Sequence, residues 1–178
     1  MRIRTYRAGD IVTLVHIQQQ VAQFDHLEPM GQEAIERLLV QSIRRTGYNV
    51  FLITDDDDEL NTWGQGESLD GPEGEVVGYT ILHLSQGQRS YHFHCYGTVL
   101  PEHRGRGAGH ALLICAMNHA RMQSIDFIFE ARRSGQPIYF EVELPAHDPA
   151  LEYLVKMFEL EETDAPLQPG QRLYRTEL

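Results

Sequence analysis

Residues 99–113 read VLPEHRGRGAGHALL. An apolar, strand-like run ends at Pro101, three glycines follow at alternate positions, and helical periodicity resumes at once with Leu112 and Leu113. Few folds have a use for bare backbone where a strand turns into a helix. The first N–H groups of a helix have no acceptor inside it, and the aligned peptide dipoles place about half a positive charge there. Glycines at Gly105, Gly107 and Gly109 let such a backbone approach oxygen atoms closely and adopt positive φ. Arg104 and Arg106 add charge suited to phosphate oxygens. The stretch therefore predicts an anion-binding loop in a chain that mixes strands and helices.

Two familiar phosphate loops do not fit. A P-loop needs lysine and then serine or threonine after its last glycine, where this chain has His110 and Ala111. The dinucleotide fingerprint G-x-G-x-x-G, counted from Gly105 and Gly107, meets His110 at its sixth position. Nucleotide hydrolysis and Rossmann-type hydride transfer are thereby disfavoured.

The surrounding pattern predicts a strand at Arg2 to Arg7, with Asp10 as N-cap of a helix from Ile11 to Phe24. A second helix is marked by Ala34, Ile35, Leu38, Leu39 and Ile43, and a strand by YNVFLIT, residues 48–54. Residues 55–75, DDDDELNTWGQGESLDGPEGE, read as a long, flexible acidic loop with Trp63 alone in it. Strands follow at Val76 to Ser85 and Tyr91 to Leu100. The helix after the glycines runs on through Phe127, Ile128 and Ala131 until Gly135 and Pro137 end it. PIYFEVEL, residues 137–144, is a strand, Asp148 caps a short helix containing Leu151, Leu154 and Val155, and strand candidates lie near Phe158 and Leu173. The order is βαα-βββ-α-β-α-ββ, a mixed α/β pattern whose length suits one domain over residues 1–178.

Fifteen basic against 26 acidic side chains give a net charge of −11, which repels a phosphate backbone and argues against nucleic acid as partner. No apolar run approaches the length of a membrane span and no secretory signal opens the chain, so a cytoplasmic protein without membrane attachment is expected. Cys95 and Cys115 lack the spacing of a redox or zinc motif and read as buried free thiols. Tyr91-His92-Phe93-His94 offers an H-x-H pair without a third ligand of identifiable spacing, and the acidic run at Asp55 lacks the alternation of a calcium loop, so no metal is expected.

Val99-Leu100-Pro101 followed by Arg104-Gly105-Arg106-Gly107-Ala108-Gly109 resembles the acetyl-CoA site of the GCN5-related N-acetyltransferase (GNAT) superfamily, V-x-P and then [QR]-x-x-G-x-[GA]. The element order resembles that fold over nearly the whole chain. The resemblance implies a central twisted mixed β-sheet flanked by helices, with acetyl-CoA as co-substrate. Its pyrophosphate would lie on the backbone amides of Arg104, Gly105, Arg106, Gly107, Ala108 and Gly109, with His110 at the margin. Its pantetheine arm would pair with the backbone of Gly97, Thr98 and Val99. The implied activity is direct transfer of acetyl from thioester to the primary amine of a small molecule or peptide, by a stand-alone unit or a homodimer. Tyr153 falls where the family carries its general-acid tyrosine, with Glu152 and Met157 replacing the usual leucine and glycine. Glu141 falls where ribosomal-protein N-terminal acetyltransferases of the family carry a base. His92 and His94 share one face of their strand and are rival bases. A non-catalytic acyl-CoA-binding or sensor module of the same fold is the alternative.

Overall fold

The computed structural model of the chain describes residues 1–46, 49–55, 74–146, 148, 150–165, 167 and 169–178, the side chains of 43–46 excepted. Residues 56–73 of the expected acidic loop, Trp63 among them, lie outside the described residues, and its expected ends, Asp55 and Glu75, belong to strands. Seven strands form one sheet: β1 (Arg2–Thr5), β2 (Val50–Asp55), β3 (Glu75–Gln86), β4 (Tyr91–Val99), β5 (Ile138–Pro145), β6 (Glu161–Glu162) and β7 (Gln171–Glu177). Their order across the sheet is β1-β2-β3-β4-β5-β7-β6. All neighbours are antiparallel except β4 and β5, which run parallel. The helices are α1 (Ile11–Asp25), α2 (Gln32–Thr46), α3 (Ala108–Ser124), α4 (Ile128–Ser134) and α5 (Leu151–Met157). The order found, βαα-βββ-αα-β-α-ββ, is the mixed α/β order read from the sequence with one helix more.

Strand alternation sorts the sheet into two faces. Leu82, Phe93, Cys95, Phe140 and Val142 point to one side and pack with Leu113, Ala116, Met117 and Ala120 of α3 and Leu154 of α5. Leu14, Ile17 and Val21 of α1 and Ile35 and Leu39 of α2 join a second cluster with Leu52, Tyr79 and Ile81. Each residue in these lists is buried because its strand or helix period brings it to the covered side. The alternate residues of β4 and β5, among them His92, His94, Tyr96, Glu141 and Glu143, occupy the opposite face from Phe93 and Phe140.

Three local expectations are corrected. Asp10 does not cap α1 with its side chain. Its carboxylate instead takes a fork from Arg4 at 2.7 and 2.8 Å and the Arg7 amide at 2.6 Å, closing the short turn that precedes the helix. The long helix after the glycines is two helices. At Ser124 the hydrogen bonds tighten to an i to i−3 pattern, ending with the Phe127 amide on the Ser124 carbonyl at 3.1 Å, and Phe127 stacks on Tyr91 at 4.6 Å. Phe158 closes α5 rather than starting a strand, and Glu159 takes a left-handed turn (φ 51°) before β6.

The parallel pairing of β4 and β5 covers Tyr91–Ile138 to Cys95–Val142 and stops there. β4 continues to Val99 paired, among the described residues, with β3 alone. Gly97 lets β4 lie close to β3 there: a Cβ on it would meet the Tyr79 carbonyl oxygen at 2.5 Å and Thr80 Cα at 3.0 Å. Across the pair, a Cβ on Gly78 would meet the Thr98 carbonyl at 2.8 Å. Both obstacles are backbone and cannot rotate away. Replacing Gly97 by alanine should therefore destabilise the fold by about 1–3 kcal/mol, read as a lowered midpoint of thermal unfolding; an unchanged midpoint would contradict the close approach.

Candidate active site

The strand-to-helix junction has the shape the sequence predicts, with a different division of labour. Gly105 (φ 72°) and Gly107 (φ 88°) are both left-handed, and among the described residues neither would have any atom within 4 Å of an added Cβ. Gly107 precedes Ala108, the first residue of α3, whose first-turn amides have no intrahelical acceptor. Gly109 is a correction. It has ordinary helical φ, and a Cβ there would touch only Val99 at a normal 3.9 Å.

Arg104 is the larger correction. Its guanidinium is committed elsewhere: it forms a two-pronged pair with Asp25 at 2.7 and 2.8 Å, donates through Nε to the Val99 carbonyl at 3.1 Å, and lies over the Phe24 ring. The Asp25 side chain is 4% exposed. The pair thus ties the start of the glycine loop to the end of α1 and the end of β4. Arg106 remains 59% exposed, with Asp55 3.9 Å away, and is the arginine of the two whose charge faces solvent at the loop. Sequence reasoning missed Asp25. A carboxylate in the last turn of a helix opposes the macrodipole, and that local disadvantage was the signal that a cation must answer it.

On the face of the sheet away from Phe93, Glu141 is buried between two imidazoles. His92 donates from Nδ1 to Oε1 at 2.8 Å, and His94 Nδ1 lies 3.0 Å from Oε2. Nε2 of each ring hydrogen-bonds to a serine hydroxyl: Ser90 on His92 at 2.7 Å, Ser85 on His94 at 3.0 Å. Burial opposes the charged form of Glu141, but the hydrogen bonds and positive fields of His94 and His92 outweigh it and hold the carboxyl below its ordinary value. Ser85 and Ser90 carried no signal in the sequence beyond flanking a short polar turn.

Tyr153 stands on the other side of the sheet. It is 54% exposed on α5, and its ring meets His110 edge-on at 5.8 Å. His110 also faces Phe158 at 5.5 Å, and among the described residues its buried Nε2 has no hydrogen-bond partner. The structure therefore joins Tyr153 to the start of α3, joins Glu141 to His92 and His94, and keeps these two groups on opposite faces of the sheet. Cys95 lies buried against Thr80 at 3.0 Å, and burial pushes its thiol up to about 12. Burial also raises Cys115. Neither is suited to act as a thiolate nucleophile.

A model of the acetyltransferase (GNAT) family matches residues 37–137 of the chain. Comparison with curated proteins by sequence finds no match. Among solved structures, a ribosomal-protein-alanine N-acetyltransferase of Brucella melitensis superposes with a TM-score of 0.64 at 16% identity, covering all of both chains. A putative acetyltransferase of Salmonella typhimurium, solved with its cofactor acetyl-CoA, gives 0.57 at 17% identity over 99% of this chain and 93% of its own. NAA60 of Arabidopsis thaliana, solved with a bisubstrate analogue, gives 0.59 at 12% over 99% and 98%. At these identities the likeness is one of fold.

Because the folded state lowers the pKa of Glu141, its stabilising contribution is present above the ordinary carboxyl range and lost as the pH falls through and below it. Glu141→Gln should unfold at a lower temperature than the parent near neutral pH, and the gap should close on acidification. A gap that widens toward acid would reverse the sign assigned to this carboxyl.

Proposed function

The chain belongs to the acetyltransferase (GNAT) family, and from that membership we propose that it is an acetyl-CoA-dependent N-acetyltransferase acting by direct transfer to the primary amine of a small molecule or peptide. The observation that carries the proposal is the open edge of β4 beside an open glycine loop. β4 has lost β5 as a partner beyond Cys95, Gly105 and Gly107 leave room, among the described residues, over left-handed backbone, and the first-turn amides of α3 point out of the helix end. An extended arm ending in a diphosphate fits such an edge and loop. The residues that would hold it are Gly97, Thr98 and Val99 along the strand, and Gly105 to Gly109 with His110 through their main chain, while the Arg104 amide already donates to the Pro101 carbonyl at 3.2 Å. Arg106 would add charge from its side chain. The bound thioester supplies an activated acyl group; the rest is done by this chain's side chains.

An alkylammonium has no lone pair to attack with, so a base must first take its proton. A carboxylate held below its usual range, with both oxygens engaged by imidazoles, is a poor acceptor. An imidazole is a better one. Of the two, His94 lies about 6–7 Å nearer the parting of the strands than His92, two residues on along β4. His94 takes the proton at Nε2, which Ser85 otherwise serves, and Glu141 steadies the imidazolium through Nδ1. His92 holds the second carboxylate oxygen and so fixes the direction of the first. Tyr153 keeps a proton on its hydroxyl for the departing sulfur.

A second reading, a binding or sensor module without turnover, draws on Met157, which stands where the family has glycine after the tyrosine, and on the exposure of Tyr153. Release of free thiol from acetyl-CoA across a panel of amines separates the two. Thioester binding with no turnover for any amine favours the sensor. For the enzyme, Tyr153→Phe should lower turnover about 100-fold with little change in the KM for acetyl-CoA, and unchanged turnover removes Tyr153 from the acid role. His94→Gln should flatten the acidic limb of the pH-rate profile. Should His92→Gln do so instead, the base is His92.

A further inference from the structure

Glu143 stands two residues beyond Glu141 on β5 and, by strand alternation, on the same face. At that point β4 no longer pairs with β5, whose last partner is Val142 opposite Cys95. Glu143 therefore borders the parting on one side and has Leu173 of β7 opposite it on the other. Tyr96 is its neighbour across the parting, and the negative field that Tyr96 feels comes from Glu143 first and Glu141 second.

The charges around Glu143 are committed elsewhere. His92 and His94 are bound to Glu141, the Arg175 guanidinium lies over the Tyr139 ring at 4.8 Å, and Arg172 pairs with Glu162 at 2.9 Å. Among the described residues the Glu143 side chain has no hydrogen bond or ion pair, although it is half-buried. Desolvation raises its carboxyl, and only the field of His94 opposes this. A partly desolvated carboxylate without a counter-ion is unfavourable on its own, and a cation arriving from outside removes the disadvantage.

We propose that Glu143 is the docking carboxylate that holds the ammonium group of the acceptor at the parting of the strands. The proposal rests on the transferase reading given above and names a specificity residue for it. Glu143 captures the ammonium at the parting of the strands. His94, its diagonal neighbour across β4 and β5, is then placed to receive the proton that must leave before attack. Glu143 is a specificity residue in this scheme and His94 the proton acceptor.

Benzylamine, charged at neutral pH, and 4-methylaniline, neutral there, are near-matched in size and distinguish charge capture from shape. Glu143→Gln should raise the KM for benzylamine about 10- to 100-fold while moving that for 4-methylaniline by no more than about twofold, and Glu143→Asp should keep the preference for the cation. Equal changes for both amines, or none, overturn the proposal. Binding of coenzyme A, followed by calorimetry, should be the same in parent and variants. If the parent acetylates neither amine, that result counts against the transferase reading, and docking is then decided without turnover. The side-chain carboxyl carbon of Glu143, assigned by its loss in Glu143→Gln, should titrate at lower pH in the presence of benzylammonium and be unmoved by benzyl alcohol. A titration indifferent to benzylammonium sinks the inference.

Discussion

The parting of β4 from β5 is the constraint on which the rest of the structure depends. Two parallel strands in mid-sheet ordinarily satisfy each other's main chain along their length, yet here the ladder ends after five residue pairs and, among the described residues, β4 goes on beside β3 alone. The glycine loop and α3 follow directly from the free end of β4, so the open main-chain edge and the open helix end are two parts of one feature. Tyr96, Glu143, His94 and Glu141 collect along the mouth because each is the outward member of its strand at that level.

Alternation by two then decides which chemistry is available on which side. On the helix-covered face β4 and β5 present Phe93, Cys95, Phe140 and Val142, packed dry against α3 and α5. On the other they present histidines, tyrosines and glutamates. A buried carboxylate there is tolerable because both of its oxygens receive imidazole N–H groups, and the imidazoles in turn are oriented by serine hydroxyls. The chain Ser85–His94–Glu141–His92–Ser90 links three strands and a turn, so each ring is held from both ends.

Much of this was legible in the residues. The glycine spacing between an apolar run and a helical one gave the junction, and FEVEL gave a strand whose glutamates oppose its apolar residues. What resisted was whatever depends on a distant partner. Nothing local to HRGRGAGH says that Arg104 turns back to Asp25 while Arg106 faces outward. Gly109 looked like its two neighbours and is merely a helical residue, since only the two glycines before the helix need left-handed backbone. The continuous apolar period from Leu112 to Ala131 hid the break at Ser124, because Phe127 keeps the period while being drawn onto Tyr91. Asp10 has the residue type of a helix cap, but Arg4 on the neighbouring strand claims its carboxylate first.

The pair between Asp25 and Arg104 bears on what sort of object the glycine loop is. Its members are 79 positions apart in the chain, and the same guanidinium also holds the last carbonyl of β4. A glycine-rich turn taken by itself has many shapes open to it. This one borrows its rigidity from a helix made near the other end of the polypeptide, so a peptide spanning only the loop and α3 would have the motif's letters without its form.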